Sequence, residues 1–220
     1  MGAYYIAATG TGIGKTFVTR ALTHAARSRQ RSIMAYKPVI SGYDVADETS
    51  DTAQLMLALG SVTIDEISPW RFAAPLSPDM AARKEGQRLS LEGLVSWTRQ
   101  ARDAADTVFI ETVGGLMVPL NTEHTTRDWM QAAPLPLIMV TGSYLGAISH
   151  TLTTLEAARA AGLKVAALLV NESADSPVGL QATRQSIADH VHDIPLILAQ
   201  PRVSSPAEAT VIHSLIEHCV

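Results

Sequence analysis

Six short runs of aliphatic and β-branched residues punctuate the chain: Tyr4–Ala8, Ser32–Val39, Thr107–Glu111, Leu135–Thr141, Val165–Asn171 and Pro195–Ala199. Their apolar positions are near-continuous rather than alternating, the pattern of strands covered on both faces. Longer segments with helical spacing separate them. Lys15–Arg27 opens behind a glycine-rich turn, and Ser50–Leu59 gathers Leu55, Met56 and Leu59 on one side. Leu91–Ala105 repeats apolar residues close to a 3.6-residue period, and Ala147–Ala161 and Val178–His190 follow the same logic. Pro206 is placed to open a last helix to His218. Thr125-x-x-Asp128 reads as a helix-start capping arrangement. The stretch Pro69–Pro78 reads as an ordered loop, because its Trp70 and Phe72 want burial. Strands alternating with helices predict an α/β fold, a mostly parallel sheet flanked by helices on both faces.

Length and composition narrow the class. At 220 residues, 47% of them hydrophobic and 17% charged, the chain suits one generous domain spanning residues 1–220 with a well-filled interior. Seventeen Lys and Arg against 21 Asp and Glu give a net charge of −4, so no global basic field advertises nucleic acid. A lone cysteine, Cys219, excludes an internal disulfide and a cysteine-based zinc site, and reads as inert. No apolar run approaches the roughly 20 residues that span a bilayer, and the first residues do not read as a signal peptide. A soluble, cytoplasmic protein with no membrane partner is expected. The seven histidines show no convergent metal spacing and read as surface or packing residues.

In an open parallel sheet ligands bind outside the carboxyl ends of the strands, so residues that end a strand are the informative ones. After the first run comes Ala8-Thr-Gly-Thr-Gly-Ile-Gly-Lys-Thr16. Gly10, Gly12 and Gly14 let backbone N–H groups approach an anion, with the helix N-terminus beyond them. Lys15 is placed for β- and γ-phosphate oxygens and the Thr16 hydroxyl for magnesium. The strict phosphate-loop pattern places glycine where this chain has Thr9. Around this loop Gly12, Ile13, Gly14, Lys15 and Thr16 are the candidate nucleotide-binding residues. Lys37 ends the second run just before Pro38, placed to steady charge on a transferring phosphoryl group or an anionic substrate, and Ser41-Gly42 follow in a turn. Asp51 starts a helix, and Glu111 ends the run Thr-Val-Phe-Ile-Glu ahead of Gly114 and Gly115. Thr16, Asp51 and Glu111 supply the hard oxygen set that Mg2+ takes alongside phosphate.

Thr9-Gly-Thr-Gly-Ile-Gly-Lys-Thr16, Tyr36-Lys-Pro-Val-Ile-Ser-Gly42, Ser50-Asp51, Phe72–Pro78, Glu111-Thr-Val-Gly-Gly115, Leu145–His150 and Val170-Asn171 together, in this order, resemble the dethiobiotin synthetases. The likeness runs to about Pro201. It implies a fold of the P-loop NTPase type and a reaction: 7,8-diaminononanoate, carbon dioxide and ATP give dethiobiotin, ADP and phosphate, through a carbamate and its phosphorylated anhydride. By the same resemblance Lys15 and Thr11 belong to the phosphate and carbamate site, Lys37 stabilises charge at the reacting centre, and Ser41 touches the substrate. Thr16, Asp51 and Glu111 hold magnesium. Asn171 reads adenine, the turn around Pro201 closes over the base, and Gly114 approaches the nucleotide. The family's enzymes are homodimers, in which the substrate carboxylate meets a helix N-terminus of the other subunit; Gly146, Ala147 and Ser149 match that segment. The chain departs from the family's usual residues at Ala8, Gly12, Asp79, Thr112, Val113, Tyr144 and Ser149. Two other readings are a related ATP-dependent ligase acting on another substrate, and a switch or partition ATPase. The latter usually bears an extra lysine early in the loop, where this chain has Gly10.

Overall fold

The computed structural model describes residues 2–218; Met1 and the Cys219 thiol lie outside the described residues. In chain order the elements are β1 (Gly2–Ala8), α1 (Lys15–Ser28), β2 (Ile33–Tyr36), β3 (Val39–Ser41), α2 (Asp51–Leu59), α3 (Ile64–Ile67), β4 (Trp70–Phe72), α4 (Pro78–Lys84) and α5 (Leu91–Ala101). They continue as β5 (Thr107–Glu111), α6 (Thr126–Ala132), β6 (Leu137–Thr141), α7 (Ala147–Ala160), β7 (Val165–Asn171), α8 (Leu180–Ala188), β8 (Ile197–Gln200), a 3-10 turn (Pro206–Glu208) and α9 (Thr210–Leu215). Six strands form the main sheet in the order β2-β5-β1-β6-β7-β8, every pair parallel. All six carboxyl ends therefore open on one edge.

The near-continuous apolar runs are explained by cover on both faces. In register, Tyr4 lies beside Phe109 and Ile6 beside Glu111, so these share a face and Tyr5 points the other way. On its side Tyr5 meets Trp129 of α6 edge-on, and its hydroxyl donates to the Ala133 carbonyl at 2.9 Å. On the opposite side Glu111 faces α1, whose Val18, Ala21, Leu22, Ala25 and Ala26 are buried. Strand β5 is buried along its whole length, as are β6 and most of β7.

One predicted strand is two. The run Ser32–Val39 leaves the main sheet after Tyr36: the Lys37 amide donates to the Ile67 carbonyl at 3.0 Å, and Pro38 has no N–H to offer a ladder. The chain resumes as β3, which pairs in parallel with β4, Val39 beside Trp70 and Ser41 beside Phe72. So the Pro69–Pro78 stretch carries a strand and the start of α4 rather than a loop alone. That break puts Lys37 at the carboxyl edge of the sheet. The capping arrangement at α6 is present, with the Thr125 amide and hydroxyl both donating to Asp128 at 2.7 and 2.8 Å. Helix α5 stops at Ala101, short of Ala105, and the last predicted helix divides into the 3-10 turn and α9. Among the described residues no helix is long and apolar enough to cross a membrane.

Candidate active site

The turn between β1 and α1 takes its shape from glycine. Gly12 and Gly14 have φ of +73° and +92°, in the left-handed region that side chains disfavour. A Cβ at Gly14 would also collide with the Asn171 side-chain amide. Beyond the turn α1 begins at Lys15, so its free N–H groups face the loop. Behind the loop Gly115 packs against Gly10: a Cβ there would lie 3.2 Å from the Gly10 Cα.

Lys15 and Lys37 are each only 6% exposed. The Lys15 ammonium donates to the Gly114 carbonyl at 2.7 Å and to the Gly10 carbonyl at 3.4 Å, acceptors without charge. Burial pushes its pKa down to about 8; Glu111 and Asp51 counter that pull and Lys37 adds to it. Lys37 is different. Burial alone would lower it, but Glu111 and Asp51 outweigh burial and hold it above its ordinary value. Its ammonium donates to Glu111 Oε1 at 2.8 Å and to Asp51 Oδ2. Burial would raise the Asp51 carboxyl; Lys37 overcomes this, with help from the Thr16 hydroxyl, and holds it below the usual carboxylate range.

Glu111 is fully buried, and both its carboxylate oxygens accept hydrogen bonds. Thr16 donates to Oε1 at 2.7 Å and Thr19, one turn on, to Oε2 at 3.0 Å. Two carboxylates thus converge on the ammonium of Lys37, with the Thr16 hydroxyl beside them on Glu111. That donor set, all hard oxygen, fits a magnesium ion, which takes one or two carboxylates together with phosphate oxygens and water.

The remaining candidates follow strand ends of the main sheet, except Ser41 in the small β3–β4 sheet, and none is in direct hydrogen-bond contact with this cluster. Thr11 is exposed, with its hydroxyl 3.5 Å from where a Gly114 Cβ would stand. Asn171 ends β7 and donates from Nδ2 to the Ile13 carbonyl at 3.0 Å, which ties the end of β7 to the phosphate loop. Pro201 follows β8, and its carbonyl accepts from the buried Gln200 at 2.6 Å. Gly146, at φ +96°, caps α7; Ala147 is buried behind it and Ser149 is exposed. Ser41 ends β3, half-buried. Among the described residues no hydrogen bond joins Ser41, Gly146 or Ser149 directly to the lysine–carboxylate cluster.

Comparison with known proteins fixes the lineage. A family model described as an AAA domain matches residues 2–208. The chain is 44% identical over 201 residues to the ATP-dependent dethiobiotin synthetase BioD of Methylobacterium nodulans, covering 86% of this chain and 89% of that one. It belongs to the dethiobiotin synthetase family. Within that family it is also 42% identical to the Caulobacter sp. K31 enzyme of the same name, covering 98% of this chain and 95% of its relative. Among solved structures, the septum site-determining protein MinD of Pyrococcus horikoshii superimposes with a TM-score of 0.60 at 15% identity, covering 98% of this chain and 95% of that one. A ParA family ATPase of Chlorobium tepidum gives 0.58 at 14%, over 98% and 97% of the two chains. These likenesses speak for the fold alone: the P-loop NTPase architecture expected from the sequence is the one the synthetase family member adopts.

Sequence reasoning missed Thr19, whose hydroxyl is the second anchor of Glu111. Its signal is positional: it sits three residues beyond Thr16 on the helix face turned to β5. It also missed the pairing of Tyr144 with His150, hydroxyl to Nδ1 at 2.8 Å, in the segment where the family usually has other residues.

Proposed function

We propose that this chain is an ATP- and magnesium-dependent dethiobiotin synthetase, working in the cytoplasm as a homodimer of single phosphate-loop α/β domains spanning residues 1–220. The observation that carries the reading is 44% identity over nearly the whole length of a protein of that name, in a chain whose lysines and carboxylates meet at one sheet edge.

In this reading one amine of 7,8-diaminononanoate adds to carbon dioxide and loses a proton to form a carbamate. A carbamate oxygen attacks the γ-phosphorus of ATP, and ADP leaves. The second amine then attacks the carbamoyl carbon, phosphate departs, and the ureido ring closes. The chain supplies charge and position rather than a nucleophile. A carbamate and a triphosphate repel, and the protein must offset several negative charges in a site shielded from water. The backbone of Gly12, Ile13 and Gly14 and the first turn of α1 cradle the phosphates. Lys15, held by carbonyls alone, gives its charge to the phosphates with no carboxylate to abandon. Lys37 stays protonated because Glu111 and Asp51 hold it so, and it steadies charge on the transferring group.

Thr16, Asp51 and Glu111 would hold magnesium, which when bound neutralises phosphate charge and orients the γ-phosphate. Thr11 and Gly114 flank the carbamate and phosphate space, and Ser41 contacts the diamine. Gly146, Ala147 and Ser149 receive the substrate carboxylate in the partner's site. Asn171 and the Pro201 turn take the adenine.

The test is direct: purified protein with ATP, magnesium, bicarbonate and diaminononanoate, assayed for dethiobiotin and ADP together. Dethiobiotin matching ADP one for one is expected. ADP formed whether or not diamine is present would favour a switch ATPase; neither product would overturn the synthetase reading.

A further inference from the structure

Thr9 occupies the position that is glycine in the strict phosphate loop, and its side chain turns toward β6. The Thr9 amide donates to the Val140 carbonyl at 3.0 Å, and its hydroxyl meets that of Thr141 at 3.2 Å. Thr141 in turn meets Thr151 at 2.7 Å, and Thr151 donates to the Ala147 carbonyl at 2.6 Å, in the first turn of α7. Thr141 and Thr151 are fully buried.

Three hydroxyls and the Ala147 carbonyl thus form one continuous hydrogen-bonded chain. A carbonyl has no proton to give, so Thr151 spends its single hydroxyl proton on Ala147. With Thr151 donating there, Thr141 is free to donate to Thr151 and Thr9 to Thr141, so all three hydroxyls are paired in one chain. Each bond in such a chain polarises the next, and removing the central hydroxyl leaves both neighbours without their partner in the interior. The segment between β6 and α7 is clamped from its other side as well. The Ser143 amide donates to the Ser173 hydroxyl at 3.1 Å, the Ser173 amide to the Ser143 hydroxyl at 2.9 Å, and Ser176 to the Ser143 carbonyl at 2.9 Å. Gly142 leaves room for the clamp: a Cβ there would lie 2.7 Å from both Ser173 Oγ and Tyr144 Cδ1. The α7 turn is thus tied to the phosphate loop by one network and to the loop that follows Asn171 by another.

We infer that Thr141 is a positioning residue: through Thr9 and Thr151 it sets the first turn of α7 against the phosphate loop, so that nucleotide binding strengthens the grip on the diamine. The inference rests on the synthetase reading, in which the α7 turn receives the substrate carboxylate. Nucleotide fixes the Thr9 end of the chain, and the α7 end is then ordered before the diamine arrives, which reduces the ordering cost of its binding. Because that turn serves the partner's site, the chain connects one subunit's nucleotide with the other subunit's diamine.

The experiment measures diaminononanoate affinity by calorimetry on the full-length protein, with and without a saturating non-hydrolysable ATP analogue and magnesium. Wild type should bind the diamine roughly five-fold or more tightly with nucleotide present, the lower range of ordinary coupling between sites. Thr141→Val keeps the shape and removes the hydroxyl; it should reduce that factor to below about two while shifting ATP affinity by less than about two-fold. Thr141→Ser should restore it. Thr9→Val, at the accessible end of the chain, should reproduce the loss if Thr141→Val folds poorly. Coupling unchanged in either valine variant would overturn the inference, as would a wild type that makes dethiobiotin without coupling. A wild type that neither binds the diamine nor makes dethiobiotin would overturn the synthetase reading itself, and the inference with it.

Discussion

Lys15, Thr16, Lys37 and Glu111 are each at most 8% exposed, whereas Leu145, one residue before the α7 cap, is 85% exposed, and Gly146 and Ser149 also stand in solvent. Both groups lie on the same sheet edge. In the first, every charge has a partner fixed by a strand end or a helix start; in the second, backbone conformation and a few hydroxyls do the positioning. Departures from the family's usual residues fall in both groups, but at Ala8, Gly12, Thr112 and Val113 they spare the buried lysines and carboxylates, whereas Tyr144 and Ser149 lie in the α7 turn itself. A buried ion cluster tolerates little change, since removing one partner leaves another charge uncompensated. An exposed turn with few fixed partners tolerates a good deal.

The contrast can be broken first at Glu111. Glu111→Gln removes the acceptor shared by Thr16, Thr19 and Lys37, and steady-state kinetics across a magnesium titration should show turnover down about a hundred-fold with a raised magnesium requirement. Lys15 gives the next largest effect, with opposite signs for binding and stability. Its pKa of about 8 lies below the 10.5 of an unperturbed lysine. The folded protein therefore binds fewer protons between those values, stability rises with pH through that window, and the cost of the buried charge is fully present below pH 8. Lys15→Met should raise stability at pH 7 by about 2 kcal/mol in thermal or denaturant unfolding, and should abolish nucleotide binding. Unchanged stability would mean that the ammonium is better solvated than its burial implies.

Gly14→Ala is a backbone test. A left-handed alanine beside the Asn171 amide should cost about 1–2 kcal/mol of stability and weaken ATP binding in a calorimetric titration. The smallest effect belongs to the α7 turn: Ser149→Ala should leave unfolding unchanged within about 0.5 kcal/mol and turnover at saturating diamine within about two-fold, its loss falling on diamine affinity. A large loss there would erase the distinction between the two groups.

Much of this architecture was legible because apolar runs report burial and motifs report strand ends. β1, β5 and β7 lie where their runs predict, and Lys37, Asp51, Glu111 and Asn171 all reach the expected edge. The signal failed where structure depends on partners distant in sequence. β3 and β4 are three residues each, beside prolines, and exist because Val39 finds Trp70 across the chain. Their pattern alone says loop. Thr141 and Thr151 were equally silent, since a buried threonine in a strand or helix is ordinary until its hydroxyl is seen to aim at another. The ion cluster was different, because its residue types are costly to bury without a purpose, and so the sequence flags them.

The most direct measurement of the central claim, that the buried Lys37 serves the chemistry and is not needed to bind the nucleotide, compares Lys37→Ala with wild type for ATP affinity and for dethiobiotin turnover in the same preparation. The account predicts ATP affinity within about three-fold of wild type and turnover lower by about a thousand-fold. Turnover unchanged in a folded Lys37→Ala protein would contradict it.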